Sequence, residues 1–243
     1  MERETSGVLR RAMRFLGRER AAAPPADSLE GHLRALFAAL AVDCVLDVGA
    51  NDGQYARMLR RIGYRGHIVS FEPVPASVRV LRSRAARDGR WTVLPYALGA
   101  ADGEGMIHVA RESQLSSLLP VNDFGARTFP GLSDTVAREP VRVRRLDAVF
   151  GELPGVAGGQ VFLKTDTQGS DLAVLGGAAG CLERISGLQV ELSLRPVYTG
   201  APDFARSVRA IRDAGFEPTG LFPVAPSPSR PLIDVDCVAR RGL

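Results

Sequence analysis

Four carboxylates lie at or beside the ends of short apolar runs in this sequence. They are Asp47, Glu72, Asp166 and Glu191, and the residues around each favour buried β-strands. A carboxylate at a strand end can accept hydrogen bonds from a ligand, remove a proton from it or bind a metal ion. Ligands of open α/β sheets bind at the carboxyl ends of the strands, so we expect these acids to share one site.

The first acid belongs to a segment, Cys44–Tyr55, typical of a buried strand, a glycine turn and the start of a helix over about Gln54–Arg61. Gly49 and Gly53 allow the backbone to turn sharply and to approach a ligand closely. The helix would direct free N–H groups and its positive dipole end at that ligand. Asp47 can accept hydrogen bonds from an amine or from the N–H groups of the turn.

The glycine spacing narrows the choice of ligand. Asn51 and Gln54 occupy the second and third glycine positions of a G-x-G-x-x-G dinucleotide fingerprint, and the phosphate-binding pattern G-x-x-x-x-G-K-[ST] is missing from the sequence. The pattern Asp-x-Gly-x-Asn-x-Gly resembles motif I of class I S-adenosylmethionine (SAM) methyltransferases. This resemblance implies that SAM, whose amino-acid end suits an acid beside a helix N-terminus, contacts Asp47, Gly49, Asn51, Gly53 and Tyr55.

Glu72 and Pro73 complete the predicted cofactor site. Glu72 ends a second apolar strand, Ile68–Glu72, 19 residues after Gly53. An acid about 20 residues beyond the glycine turn holds the ribose hydroxyls in Rossmann-like folds. Glu72 alone could be a solvated strand-end residue, but this spacing and the Pro73 stop favour ribose binding.

Two further strand patterns, Val161–Asp166 and Leu188–Leu194, carry the candidate reacting acids. We expect Asp166 to face the reacting atoms and to contact the cofactor, with Glu191 as the second candidate. Either carboxylate could act as a base toward a hydroxyl group. The pair could instead bind a divalent cation such as Mg²⁺ that polarises the hydroxyl.

Two cationic or titratable residues join this list of catalytic candidates. Lys164 lies two residues before Asp166, so it shares a strand face with that acid and could pair with it. His108 is a third candidate base if the inserted hairpin folds over the pocket. Each candidate also has a structural interpretation, as an ion-paired, solvated or ordinary strand residue.

Length and charge define the predicted domain organisation. The 243 residues suit one α/β domain at 27–243, with an inserted hairpin and loop at about 103–145, after a basic extension and linker at 1–26. A short basic helix is predicted for 7–20.

The positive charge is concentrated at the N-terminus. Residues 1–23 hold six Arg against three Glu, which is +3 of the net charge of +4. The nearly neutral remainder argues against a nucleic-acid partner.

Composition also bears on location. No apolar run approaches the roughly 18 residues of a membrane span, and the N-terminus lacks the apolar core of a secretory signal. The three cysteines, Cys44, Cys181 and Cys237, are far apart, which predicts reduced core residues in a cytoplasmic protein without a zinc site. The oligomeric state stays open, with a homodimer as one option.

Four blocks of the sequence resemble the FkbM family of SAM-dependent methyltransferases and together span about residues 40–240. The last two blocks are the more specific, although Thr167, Ser170 and Asp171 depart mildly from the usual family pattern. The blocks are Asp47–Tyr55, Phe71–Pro73, Leu163–Asp171 with Val174–Ala178, and Val190–Leu194 with Pro196–Tyr198.

This resemblance implies an α/β, Rossmann-like class I methyltransferase fold. Such a fold has a mostly parallel seven-stranded sheet, helices on both faces and a reversed last strand, for which the strands Phe216–Val224 and Leu232–Ala239 are candidates. It also implies that Ala97 and Leu98 lie near the adenine. The implied reaction is O-methylation of a hydroxyl on a sugar or natural product, so the expected partner is a small-molecule acceptor.

Three other functions compete with this interpretation. They are a catalytically silent methyltransferase-like binding module, an NAD-binding oxidoreductase and a nucleic-acid methyltransferase. The failed glycine fingerprint argues against NAD, and the retained acids argue against a silent module. The long segment Arg111–Pro140, which we expect to be a loop before a strand at Val141–Leu146, is the predicted wall of the acceptor site.

Overall fold

The computed structural model describes residues 24–228 and 231–242. The predicted basic helix at 7–20 lies outside these residues. None of the helices in the described part of the chain is long and apolar enough to cross a bilayer.

The central sheet contains seven strands in the order β3-β2-β1-β7-β8-β10-β9. All neighbouring pairs are parallel except those of β10, which runs antiparallel to both β8 and β9. The predicted Rossmann-like class I architecture with a reversed last strand is therefore confirmed. Its strands are β1 (Val42–Val48), β2 (His67–Phe71), β3 (Trp91–Leu94), β7 (Gln160–Thr165), β8 (Ile185–Ser193), β9 (Phe216–Pro223) and β10 (Asp234–Arg241).

Helices cover both faces of this sheet, as predicted. The α-helices are α1 (Leu29–Ala39), α2 (Gln54–Arg61), α3 (Pro75–Ala85), α4 (Asp123–Thr128), α5 (Leu146–Val149), α6 (Asp171–Gly177) and α7 (Phe204–Asp213). Short 3-10 helices lie at Ser113–Leu115, Phe150–Glu152 and Ala179–Arg184. Ser28 caps α1, because its hydroxyl accepts a hydrogen bond from the Gly31 N–H at 3.1 Å.

Two hydrophobic clusters attach the helices to the sheet. On one face, α1, α2 and α3 pack around Phe37, Phe162 and Val238. On the other face, α5, α6 and α7 pack around Leu163 and Leu192. Strand residues alternate between the two faces of the sheet. A polar residue near the end of a strand therefore lies on the same face as the apolar residue two positions before it.

A second, smaller sheet is built from the inserted segment. Its order is β4-β6-β5, where β4 is Ala97–Leu98, β5 is Gly103–Ala110 and β6 is Thr135–Arg144. Strands β5 and β6 form an antiparallel pair, and β4 lies parallel to the end of β6.

The structure corrects the predicted boundaries of this insertion. Residues 111–140 are not one long loop, because helix α4 lies within them and β6 begins at Thr135 rather than at Val141. The strand ends at Arg144, two residues before the predicted end. Pro140 suggested a break, but at this position β6 pairs only with Met106 of β5, and proline is tolerated where one side of a strand has no partner.

The packing around Phe162 predicts a large loss of stability on truncation. Its side chain is fully buried and contacts the ring of Phe37 edge-on at 4.8 Å between centroids. Phe162→Ala should lower the free energy of unfolding by about 3–5 kcal/mol, because it removes apolar burial and leaves a cavity. Urea denaturation measures this change. Val136→Ala is the control, because the Val136 side chain is 54% exposed and its truncation should change the free energy of unfolding by less than about 0.5 kcal/mol. Equal losses of stability in the two variants would contradict the assignment of Phe162 to the core.

Candidate functional site

The glycine turn after β1 is held against the neighbouring strands by main-chain contacts. The N–H groups of Gly49 and Ala50 both donate to the Phe71 carbonyl at 3.1 Å. Gly49 has a φ of +74°, and a Cβ at this position would lie 2.0 Å from the Asp166 carbonyl oxygen. Only glycine fits here, and the close approach brings the turn directly beside the candidate reacting acid.

Glu72 accepts hydrogen bonds from two main-chain N–H groups next to this turn. Its Oε2 accepts from Asn51 and its Oε1 from Val74, each at 2.8 Å. Burial raises the pKa of Glu72 to about 7, against the lowering effect of these two donors. Each carboxylate oxygen has a second lone pair, so the side chain can accept further hydrogen bonds from a ligand.

Asp47 does not contact the turn's N–H groups, one of the two partners predicted from the sequence. Its carboxylate is fully buried; Oδ2 accepts from the Ser70 hydroxyl at 3.1 Å, and Oδ1 lies 3.1 Å from the Lys164 ammonium. The Trp91 indole N–H donates in turn to Ser70 Oγ at 3.0 Å. The turn's N–H groups are used elsewhere, which leaves the carboxylate to bind a cationic side chain of the protein itself.

Lys164 connects the glycine turn to the candidate reacting acid, and the predicted pairing with Asp166 is present. Its ammonium lies 3.1 Å from Asp47 Oδ1, 3.5 Å from Asp166 Oδ2 and 3.4 Å from the Gly49 carbonyl oxygen. It also lies 5.2 Å from the centre of the Tyr55 ring. Burial alone would lower the pKa of Lys164, but Asp47 and Asp166 outweigh it, so the net pKa is raised and the side chain stays charged.

Asp166 and Glu191 are brought together by a residue to which sequence analysis assigned no role. The Gln168 amide nitrogen lies 2.8 Å from Asp166 Oδ1 and 3.0 Å from Glu191 Oε2, and it donates to both. Tyr198 donates to the amide oxygen of Gln168 at 2.9 Å. Both residues lie inside the sequence blocks quoted above, but nothing in their spacing indicated that they would meet.

The two acids differ in exposure. The Asp166 side chain is 40% exposed, whereas Glu191 is half-buried on β8. Burial, and then the charge of Asp166, raise the pKa of Glu191 well above its usual range. The pair therefore offers one solvent-accessible carboxylate beside another with a raised affinity for protons.

Two more acids, also missed at the level of sequence, extend this surface from β10. Asp236 lies opposite Glu191 and Asp234 opposite Ser193 in the antiparallel pairing. Burial raises the pKa of Asp236 to about 6. Their Asp-x-Asp alternation was the available signal, since it places both side chains on one strand face. We call Asp47, Lys164, Asp166, Gln189, Glu191, Asp234 and Asp236 the polar face.

The geometry between Asp166 and Glu191 bears on the predicted metal site. The Gln168 amide donates to both carboxylates, so a hydrogen-bond donor occupies the position between them that a bridging cation would need. Within residues 24–228 and 231–242, no group of three or more His, Cys, Asp or Glu side chains is arranged to hold a metal ion. A metal bound by this pair would therefore require the Gln168 side chain to move.

The remaining predicted residues lie around this centre. In the part of the chain that the structure describes, the His108 imidazole makes no hydrogen bond or ion pair, and His108 pairs through its main chain with Ser117. Ala97 and Leu98 form β4, and the Leu98 side chain lies in the core with 1% exposure. Pro73 directly follows Glu72 and is half-buried.

The inserted segment contacts the loops that follow β7 and β8. Ser117 donates from its hydroxyl to the Gln168 carbonyl at 2.7 Å, and Asn122 donates from its side chain to the Pro196 carbonyl at 3.0 Å. The Arg195 guanidinium stacks on the Phe124 ring at 3.9 Å. The segment expected to form the acceptor wall is thus adjacent to the candidate reacting acids.

Comparison with known families gives a match over most of the chain. The family model described as the methyltransferase FkbM domain matches residues 47–218. This range contains the glycine turn, Glu72, Asp166 and Glu191. A search of curated proteins gave no match.

Solved structures with similar folds are distant in sequence. Aeropyrum pernix fibrillarin with bound SAM shares 15% identity at a TM-score of 0.43, covering 81% of this chain and 66% of that chain. A Burkholderia thailandensis 1,6-didemethyltoxoflavin N1-methyltransferase shares 16% sequence identity at a TM-score of 0.46. That match covers 99% of this chain and 90% of the other. The Geobacter metallireducens precorrin-6y C5,15-methyltransferase shares 11% sequence identity at a TM-score of 0.45. That match covers 91% of this chain and 94% of the other. These values give no basis for assigning a substrate.

The buried Lys164–Asp47 pair predicts a specific stability defect. Lys164→Met should lower the free energy of unfolding by about 3–5 kcal/mol, because it leaves the fully buried Asp47 carboxylate without a counter-charge. Adding Asp47→Asn to that variant should recover part of the loss, as denaturant unfolding would show.

Arg61→Met provides the control for this variant. Arg61 pairs with Glu30 at the surface, where the two side chains are 57% and 35% exposed, so its loss should cost less than about 1 kcal/mol. A Lys164→Met defect no larger than that of Arg61→Met would contradict a stabilising role for the buried pair.

Proposed function

This chain belongs to the FkbM family of SAM-dependent methyltransferases, and we propose that it methylates a hydroxyl group of a small sugar or natural-product acceptor. The observation that carries the proposal is the position of Lys164, whose ammonium contacts both the predicted cofactor turn, at Gly49, and the predicted reacting acid, Asp166. A cofactor at the turn and a hydroxyl at the acid would therefore be neighbours.

The residues at the glycine turn fit the predicted cofactor. Gly53, at the N-cap of α2, has no side chain to cap the helix, so first-turn N–H groups can face the carboxylate of an amino acid. Glu72 keeps free lone pairs for the two ribose hydroxyls. Asp166 is partly exposed, its main chain lies against Gly49 of the turn, and its carboxylate could accept a hydrogen bond from the ammonium group of SAM. Contact with SAM also stays a prediction for the other residues expected to line the same pocket, which are Asp47, Asn51, Tyr55, Pro73, Ala97 and Leu98.

SAM, when bound, supplies an electrophilic methyl group on a sulfonium sulfur. The protein must orient the acceptor oxygen toward that methyl group and take up its proton. Orientation can lower the barrier by about 7–11 kcal/mol, and a positioned base can add roughly 10²–10⁴-fold. We assign the proton uptake to the Asp166–Glu191 pair as a unit, because their charges are coupled through one shared donor.

The class of acceptor is inferred from the surroundings of this pair. The members of the polar face that are not fully buried are all carboxylates, which accept hydrogen bonds from hydroxyl groups; they are Asp166, Glu191, Asp234 and Asp236. Mg²⁺ at Asp166 and Glu191 stays a second option that requires displacement of the Gln168 amide. His108 as base, a cytoplasmic location and a homodimer stay predictions from the sequence.

Calorimetric titration with SAM and with NAD, each with and without MgCl₂, tests the cofactor. SAM binding without NAD binding is expected, and failure of a folded sample to bind SAM would refute the proposal. A change in SAM affinity on adding Mg²⁺ would favour the metal option at Asp166 and Glu191.

The acid pair predicts a loss of turnover that is separate from cofactor binding. In an assay of S-adenosylhomocysteine (SAH) release over a panel of sugars and polyhydroxylated natural products, Glu191→Gln should reduce the rate by about 10²–10⁴-fold, because it removes the proton acceptor. Asp166→Asn should lower turnover similarly and weaken SAM binding as well. Glu217→Gln, on the exposed surface of β9, is the matched control. Normal turnover in both site variants would refute this mechanism.

The raised pKa of Glu72 predicts that cofactor affinity depends on pH. Below its pKa of about 7, the carboxyl gains a proton and loses acceptor capacity for the ribose hydroxyls. The SAM dissociation constant should therefore be constant above pH 8 and rise as the pH falls through 7, by up to about tenfold per pH unit. Titrations at several pH values measure it.

Glu72→Gln isolates this titration from that of other groups. The variant should bind SAM about tenfold more weakly, because one acceptor is replaced by a donor. Its affinity should lack the Glu72 component of the pH dependence. A wild-type affinity with the same pH profile as the variant would exclude Glu72 as the titrating group.

A further inference from the structure

We infer that Gln168 and Tyr198 are positioning residues, which hold the Asp166 and Glu191 carboxylates in place and tie them to the inserted segment. The inference rests on the proposed function, since it assumes that this acid pair faces the reacting methyl group. It goes beyond that function by assigning two residues that neither the family match nor the sequence pattern marks as functional.

The Gln168 side chain uses all of its polar atoms within the site. An amide nitrogen carries two hydrogens, and here it has two acceptors, Asp166 Oδ1 at 2.8 Å and Glu191 Oε2 at 3.0 Å. Two neighbouring carboxylates repel each other, and a donor between them offsets that repulsion. The amide therefore fixes the separation and orientation of the pair without adding charge.

The backbone at Gln168 is shaped to present this amide. Its φ is +56°, in the left-handed region that side chains other than those of Gly, Asn and Asp seldom adopt. Gly169 follows with a φ of +98°, and a Cβ there would lie 3.0 Å from the Ala201 Cβ and 3.3 Å from Leu119 Cδ1. The turn is thus enclosed between the insertion and the loop after β8, which accounts for its persistence in an unfavourable conformation.

Tyr198 links this turn to the insertion. Its hydroxyl lies 2.9 Å from Gln168 Oε1 and 3.0 Å from the Leu115 carbonyl oxygen, and its ring is buried. A phenol has a single proton, so these two acceptors share it. Movement of Leu115 would change the hydrogen bond that Tyr198 gives to Gln168, and through it the position of both acids.

Main-chain contacts reinforce the same link. Val121 pairs with Tyr198 as an isolated β-bridge, and the Thr199 N–H donates to the Pro120 carbonyl at 2.9 Å. Ser117 donates to the Gln168 carbonyl at 2.7 Å. The predicted acceptor wall and the acid pair are therefore parts of one hydrogen-bonded unit, in which seating of the acceptor and orientation of its base are coupled.

Two cofactor analogues test the positioning role without an identified acceptor. Sinefungin carries an amine where SAM carries its sulfonium methyl group, whereas SAH has no group there. The ratio of the SAH to the sinefungin dissociation constant therefore reports the negative charge facing the methyl position. Wild-type protein should prefer sinefungin, and Asp166→Asn should remove most of that preference.

Tyr198→Phe and Gln168→Asn should each lower the sinefungin preference by about threefold while SAH affinity changes less than about twofold. Asparagine suits the left-handed backbone but is one methylene too short to bridge the acids, so the variant should fold. Tyr64→Phe is the matched control, because it removes the hydroxyl of another buried tyrosine, which donates to the His67 carbonyl at 3.1 Å, away from the polar face.

Hydrogen exchange tests the link to the insertion. Tyr198→Phe should accelerate amide exchange over residues 113–122 more than Tyr64→Phe does, because the insertion loses one of its attachments. The inference is overturned if both site variants keep the wild-type sinefungin preference, or if exchange in 113–122 is the same in the two tyrosine variants. If wild-type protein binds neither analogue, the proposed function itself fails. If Asp166→Asn leaves the preference unchanged, the acid pair does not face the methyl position, and the inference falls while SAM binding stands.

Discussion

The site depends on one buried cation among carboxylates. Lys164 lies within 3.5 Å of both Asp47 and Asp166 and is almost completely buried. Without its charge, Asp47 would be an uncompensated ion at the centre of a parallel sheet. With it, Asp47 on β1 and Asp166 directly after β7 acquire fixed positions relative to each other. Lys164 therefore joins the glycine turn to the Asp166 carboxylate.

Strand alternation explains how this polar arrangement fits on an apolar sheet. On β7, Phe162 packs into the core below α1, and Lys164 and Asp166 follow on the same face toward the carboxyl end. Strands β8 and β10 repeat the change from apolar to polar through Gln189, Glu191, Asp236 and Asp234. The apolar residues of this face lie in the core, and its polar residues form the candidate site. The Tyr55 hydroxyl, which donates to Gln189 at 2.9 Å, joins α2 to that edge.

The insertion is hydrogen-bonded to the candidate site. Its two long strands form a separate sheet, and the segment between them reaches back to the loops after β7 and β8. Gln168 and Tyr198 lie where these pieces meet. The inserted segment is thus hydrogen-bonded to the residues that hold the two acids, rather than simply adjacent to them.

The sequence by itself determined the strands of the central sheet, the glycine turn and the acids at the strand ends, because period-two burial, glycine geometry and strand-end placement are local properties. It also predicted the reversed last strand through family resemblance. Only the tertiary structure decided that Asp47 pairs with Lys164, that Gln168 bridges Asp166 and Glu191, and that β6 begins at Thr135. Those outcomes depend on contacts between residues far apart in the chain, for which no spacing within a single segment gives a signal.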